Sequence, residues 1–270
     1  MSTVMLFYAG MALIIGIVFY IGFRVKRHKR LVISKIIAYI QPICASEDTD
    51  SCIKEKKYRK FEALMRYPKE DGTYSFPEKL LKKSPSFIQR KATLHMLHLV
   101  LDLLEKHPDI ELSININYKD VTDNRCRKKI LALVDQHKCV ADRLIFEFIE
   151  NAKLKDSKKA IISQFMDDVK KYQCKCALDD FGKDYSTFDP VLSFKFDILK
   201  LDRVLCEDFT SDAKKFYLID MIVNMCQRFD IKTVVEFIRW EKEATSAKIM
   251  GIDYIQGNFT GEALPPSNYL

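Results

Sequence analysis

Short apolar runs rich in β-branched residues alternate with longer stretches of helical periodicity along most of this chain. The candidate strands are Ile37–Ile43, Phe61–Tyr67, Leu112–Asn117, Leu144–Glu150, Cys176–Phe181, Ile198–Asp202, Thr233–Phe237 and Tyr254–Phe259. Between them Leu94, Leu97, Leu101 and Leu104 recur at three- and four-residue steps, which places them on one helical face. Ile130, Leu131 and Val134 continue the pattern, followed by Ile161, Ile162, Phe165 and Val169, then by Phe216, Ile219, Ile222, Val223 and Met225. Strand alternating with helix implies parallel pairing, and eight such strands favour closure, so the expected fold is α/β, a (β/α)8 TIM-like barrel. The stretch from Glu47 to Lys60 is too irregular for a helix, so the barrel is expected to open on an atypical first strand. Pro68 to Ser75 is turn-rich and reads as a loop. One barrel of about 250 residues fits the chain once an N-terminal segment is set aside.

That segment has its own signature. No residue from Val4 to Phe23 is charged, a length that as a helix crosses a hydrocarbon core of about 30 Å. Five of the seven residues from Arg24 to Arg30 are Lys or Arg, which the positive-inside rule places on the cytoplasmic side. A basic run can also contact nucleic acid, but its position directly after an apolar stretch favours the membrane, and no nucleic acid polymer is expected as partner. A cleaved signal peptide would carry its charge before the apolar run, and Met1 to Thr3 carries none. The expected organisation is a single transmembrane anchor over 1–24, a basic juxtamembrane segment over 25–31, one folded domain over 32–266 and a tail over 267–270. Ala12 and Gly16 have a small-xxx-small spacing suited to a membrane contact. The 8 cysteines show no C-x-x-C spacing and read as reduced thiols packed in a cytosolic domain. Cys174 and Cys176 would share one face of a strand.

Nearly every candidate strand carries near its end a polar residue that strand propensity would not select. These are Glu62, Asn115, Glu147, Asp179 with Asp180, Lys200, Glu236 and Gln256. In a barrel the C-terminal strand ends converge on one mouth. Acids gathered there repel one another unless a cation neutralises them, so the set asks for metal. None of the 5 histidines falls in these segments, and carboxylate with amide oxygen favours Mg2+ or Mn2+ over Zn2+. Adjacent Asp179 and Asp180 suit two ions, one carboxylate bridging, as in two-metal hydrolysis of phosphodiesters.

In this order the segments resemble the EAL family of cyclic di-GMP phosphodiesterases. Glu62-Ala63-Leu64 followed by Met65-Arg66 matches the naming signature, and Tyr39-Ile40-Gln41-Pro42-Ile43 looks like the first-strand motif. Asn115, the Glu147 and Glu150 pair, Asp179-Asp180-Phe181-Gly182, Lys200 with Asp202, the segment around Glu236, and Gln256-Gly257 complete the match. The resemblance implies two Mg2+ or Mn2+ ions per site. Glu62, Asn115, Glu147 and Asp179 would bind the first, with Asp179 bridging to a second held by Asp180. Glu236 and Gln256 would hold the second ion or its waters, and Lys200 would orient and help activate the attacking water. Arg66 would bind a substrate phosphate, Gln41 and Leu64 would contact substrate, and Glu150 would brace the loop after Asp179-Asp180. The implied reaction is hydrolysis of cyclic di-GMP to linear pGpG. The implied setting is a bacterial inner membrane with the catalytic domain in the cytoplasm, and a homodimer. The alternative is a catalytically silent EAL domain acting as a cyclic di-GMP receptor or protein-interaction module.

Two departures bear on that choice. Lys183-Asp184 stands where the family usually has Thr-Gly. Val235-Glu236-Phe237-Ile238-Arg239 stands where it has Ala-Glu-Gly-Val-Glu, so a glycine becomes aromatic and a glutamate becomes a cation. Arg239 then either pairs with a nearby acid or weakens the second-metal site.

Overall fold

The computed structural model describes residues 33–77, 81, 84–149, 154–183 and 188–270. The expected anchor and basic segment lie outside the described residues, as do Glu150 and Asp184. Among the described residues no helix is long and apolar enough to cross a membrane.

Nine strands form one sheet: β1 (Ile37–Ala45), β2 (Lys60–Pro68), β3 (Tyr74–Ser75), β4 (Glu111–Asn117), β5 (Leu144–Ile149), β6 (Lys175–Phe181), β7 (Ile198–Leu201), β8 (Lys232–Val235) and β9 (Tyr254–Gln256). Their order is β1-β9-β8-β7-β6-β5-β4-β2-β3, and a further pairing of β1 with β2 closes eight of them into a barrel. β3 is a two-residue addition to the end of β2. From β2 through β9 the barrel pairs are parallel. β1 is antiparallel to both neighbours, β2 and β9. The atypical opening expected from the sequence is therefore a reversed strand, and the expectation of parallel pairing fails there.

The irregular stretch after β1 does contain a helix, α1 (Thr49–Glu55), entered through a 3-10 turn at Ser46–Asp48. It is short and polar, too short to show an apolar period, which is why periodicity missed it. The remaining helices are α2 (Ser86–Lys106), α3 (Tyr118–Thr122), α4 (Asn124–Gln136), α5 (Asp156–Lys170), α6 (Asp189–Ser193), α7 (Arg203–Cys206), α8 (Ala213–Arg228) and α9 (Glu241–Ile249). The long ones bury the faces that their spacing marks. α2 buries Met96, Leu97, Val100, Leu101 and Leu104, and α5 buries Ile162, Phe165, Met166 and Val169. The Asp123 carboxylate caps α4 by accepting from the Cys126 amide.

Three strands end earlier than their apolar runs suggest. β7 stops at Leu201 because Asp202 turns to cap α7, accepting from the Val204 amide. β8 stops at Val235, two residues before Phe237, whose φ of 62° lies in the left-handed region. β9 stops at Gln256, since the next residue, Gly257, packs against backbone: a Cβ there would meet the Ile238 carbonyl at 2.2 Å. Most of the core lies between barrel and helices. A smaller apolar layer of Ile43, Ile145, Ala177, Ile198 and Val234 crosses the barrel interior. Below it, at the N-terminal ends of the parallel strands, Glu111 accepts from Lys60 at 2.7 Å and Lys175 at 2.8 Å. The Lys60 ammonium also sits 4.9 Å from the centre of the Tyr254 ring.

Candidate metal centre at the barrel mouth

Side chains two residues apart on a strand share a face. Two residues above the interior apolar layer the parallel strands present Glu147, Asp179, Lys200 and Glu236. From Ile43, whose strand runs the other way, the same step leads to Gln41. The alternation that seals the barrel thus also aims a ring of polar groups into its mouth.

Lys200 is the hub and is wholly buried. Its Nζ lies 2.8 Å from Glu147 Oε2, 2.9 Å from Glu236 Oε1, 3.2 Å from Glu62 Oε2 and 3.2 Å from Asp179 Oδ1. Burial disfavours the ammonium, yet Asp179, Glu147, Glu236 and Glu62 together hold its pKa well above the usual lysine range. Burial drives the carboxyls the other way: Glu147 rises well above its ordinary value, Asp179 rises, and Glu236 is pushed up to about 8, Lys200 offsetting part of each. Glu62 differs. Burial would raise it, but Lys200 and hydrogen bonds from Gln256 and Asn115 hold it below the ordinary carboxylate value.

Those two amides carry the clearest sign of a missing partner. Asn115 Nδ2 donates to Glu62 Oε1 at 2.7 Å, and Gln256 Nε2 donates to Glu62 Oε2 at 2.8 Å. A carboxylate can only accept, so both amide oxygens are turned elsewhere. Asn115 Oδ1 and Gln256 Oε1 are buried with no hydrogen-bond partner among the described residues. Buried acceptors left bare are costly, and a cation beside them would satisfy both. The carboxylates group accordingly: Glu62, Glu147 and Asp179 form one cluster with ligand atoms within 4.8 Å of one another, and Asp179, Asp180 and Glu236 form a second. Asp179 is common to both. All these donors are oxygens, the set a hard divalent cation takes.

The remaining sequence-derived positions lie around this ring. Gln41 donates to the Gly261 carbonyl at 3.1 Å and accepts from Gln256 at 3.3 Å. Leu64 is half-buried on the same strand face as Glu62 and pairs with Tyr39 across β1 and β2. Arg66, two residues further toward the mouth, donates to the Met65 carbonyl and lies 5.8 Å from the Tyr39 ring centre. Lys183, at the altered position after Asp179-Asp180-Phe181-Gly182, places its ammonium 3.1 Å from Asp180 Oδ2. Arg239 turns away from the ring. It pairs with Asp208 at 2.7 Å and Glu243 at 3.1 Å, which decides for pairing with acids outside the carboxylate ring.

Sequence reasoning passed over two features. The Phe237 ring packs against two guanidiniums, with Arg203 4.0 Å and Arg239 5.0 Å from its centre; nothing in the spacing of Arg203 and Phe237 signals that contact. All eight cysteines are free, and burial pushes the Cys174 thiol up to about 12. Cys44 and Cys52 nonetheless bring their sulfurs to 3.1 Å, because α1 folds back on the reversed first strand.

A barrel closed by one reversed strand carries at its mouth acids and amides ringed around a buried lysine, an all-oxygen donor set that can hold a hard cation on a TIM-like scaffold. Residues 29–263 match the EAL domain family, and the chain belongs to it. Cyclic di-GMP phosphodiesterase PdeF of Escherichia coli (strain K12) is 24% identical over 209 residues, 76% of this chain and 28% of that protein. The chain spans 28% to 40% of the length of the first three curated relatives it matches. The crystal structure of an EAL domain protein from Listeria monocytogenes EGD-e superposes with a TM-score of 0.75 at 24% identity, covering 88% of this chain and 92% of that one. A standalone EAL protein from Vibrio cholerae O395, in its c-di-GMP bound form, gives a TM-score of 0.69 at 19% identity, covering 86% of this chain and 96% of that one. Likeness at these identities speaks to the fold.

Proposed function

We propose that the chain is a cyclic di-GMP phosphodiesterase that uses water to open one phosphodiester bond of its substrate, leaving linear pGpG. The observation that carries this is the pair of bare amide oxygens beside two carboxylate clusters that share Asp179. Family membership and relatives named for that activity supply the substrate. Glu62, Asn115, Glu147 and Asp179 would hold one Mg2+ or Mn2+ ion, and Asp179, Asp180, Glu236 and Gln256 a second. When bound, the two ions neutralise the phosphate and favour ionisation of the attacking water.

Lys200 acts as a cation. With Glu62, Glu147, Asp179 and Glu236 around its Nζ, its ammonium would orient and stabilise an anionic nucleophile. Arg66 at the end of β2 is placed to meet a phosphate oxygen, with Gln41 and Leu64 lining the approach. Glu150, assigned to loop support, lies outside the described residues. Incubating the purified protein with cyclic di-GMP and Mn2+ or Mg2+ should give pGpG, and no product under either metal would refute the hydrolase reading. The Lys183–Asp180 contact favours a second reading. A resident ammonium on Asp180 competes with the second ion, which would leave a cyclic di-GMP receptor. Saturable binding without product is its signature.

The uncharged run from Val4 to Phe23 and the basic residues after it support a single-pass anchor in a bacterial inner membrane, with the barrel in the cytoplasm. A homodimer is part of the same reading, supported by the Ala12 and Gly16 spacing. Crosslinking in membranes tests it, and an exclusively monomeric pattern counts against it.

A further inference from the structure

The segment that follows β8 is held in a conformation that its sequence does not favour. Phe237 has a φ of 62°, a region that bulky side chains seldom enter. Its neighbours are pinned on both sides. The Glu236 amide donates to the Leu201 carbonyl at 3.2 Å, the Ile238 amide to Gln256 at 3.0 Å, and the Ile238 carbonyl accepts from Phe259 at 3.0 Å. The chain must therefore turn within one residue, and that residue is an aromatic instead of a glycine. Strain of this kind persists only where surrounding contacts over-determine it.

Those contacts are visible. The Phe237 ring touches the guanidiniums of Arg203 from α7 and of Arg239 from its own segment, and both guanidiniums reach Glu207 Oε1, at 2.8 and 3.7 Å. Each guanidinium is itself fixed. Arg203 holds Glu207 through two nitrogens, at 3.1 and 2.8 Å. Arg239 reaches Asp208 and Glu243, and the Glu243 carboxylate also accepts from the Arg239 amide at 2.7 Å. The loops after β7 and β8 are thereby tied together at the mouth. Immediately before the turn stands Glu236, whose carboxylate faces Lys200 and joins the cluster with Asp179 and Asp180.

We propose that Phe237, held by its contacts with Arg203 and Arg239, is a positioning residue for Glu236: those contacts maintain the left-handed turn that aims the Glu236 carboxylate at Lys200 and the second cation position. The cation half of this statement rests on the proposed metal site; the Lys200 half does not. A glycine would adopt the turn without help. In this chain the two arginines take over what a glycine's freedom would otherwise supply.

The test uses two variants of the full chain, R203A/R239A and R203A/R239A/F237G. Crystals of metal-free protein report the Glu236–Lys200 distance, and Mn2+ titration followed by electron paramagnetic resonance reports the weaker of two sites. In R203A/R239A the 2.9 Å contact should open, and weaker-site affinity should fall about 10-fold or more, as for lost outer-shell partners. Adding F237G should restore both, which a merely structural role for the arginines would not produce. If R203A/R239A does not fold, R203A alone removes the shorter of the two ring contacts and is read the same way. A Glu236–Lys200 contact unchanged in the folded arginine variant overturns the proposal. Wild-type protein that takes up no Mn2+ overturns the metal reading, while the metal-free distance still decides the positioning role.

Discussion

A single ammonium sits among three buried carboxylates, Glu62, Glu147 and Asp179, and the half-buried Glu236. Removing one side of a buried ion pair commonly costs about 3–5 kcal/mol, because the charge left behind has no water to turn to. Lys200→Met should therefore destabilise metal-free protein by about 3 kcal/mol in urea unfolding at pH 8, with most of the loss recovered in Mn2+. Turnover in Mn2+ should be abolished. The same acids set the pH behaviour of metal uptake. Glu147, Asp179 and Glu236 all have raised affinity for protons, Glu236 titrating near 8. Protons and cations compete for those oxygens, so apparent Mn2+ affinity should rise as the pH is raised through 8. Calorimetry in two buffers of different ionisation enthalpy should show net proton release at pH 7, and none would contradict the assigned ligands. The linkage for folding has the opposite sense in metal-free protein. A folded state that binds extra protons loses stability as pH rises from the ordinary carboxylate range toward 8.

Among the elements, the floor of the barrel offers a cleaner titration. Burial alone would raise Glu111, but Lys60 and Lys175 hold it below its ordinary value. A depressed carboxyl contributes stability that is present above its unfolded pKa and lost as pH falls through the folded one. Glu111→Gln should cost about 2 kcal/mol at pH 7, the scale of hydrogen bonds to charged groups, and the gap to wild type should close as pH drops below the ordinary carboxylate range. Paired denaturant melts at the two pH values check it. Strand alternation made much of the site legible beforehand: Glu147, Asp179, Lys200 and Glu236 each stand two residues beyond an inward apolar residue, so period two identifies them once strands are assigned. What stayed hidden depends on backbone departures from that period. α1 folds back on β1, which brings Cys52 to Cys44. Phe237 turns left-handed, which ends β8 early and opens its ring to two arginines. Arg239 was readable as a cation beside the site, but its acids come from α9 and from the loop after α7, and only tertiary folding says which it meets.

Across the whole molecule, the mouth concentrates like charge while the floor and rim pair theirs. Such a fold is tuned to gain stability from its ligand. Mn2+ at about 100 times its dissociation constant should add about 2.7 kcal/mol per site by mass action. The thermal midpoint should climb with Mn2+ concentration and fall back with a chelator; a midpoint indifferent to metal would argue against a cation at Asn115 and Gln256. The reversed first strand has a consequence for how the barrel is presented. Ile37 pairs with Arg66, near the C-terminal end of β2, so the polypeptide enters the barrel at the rim where the carboxylates open.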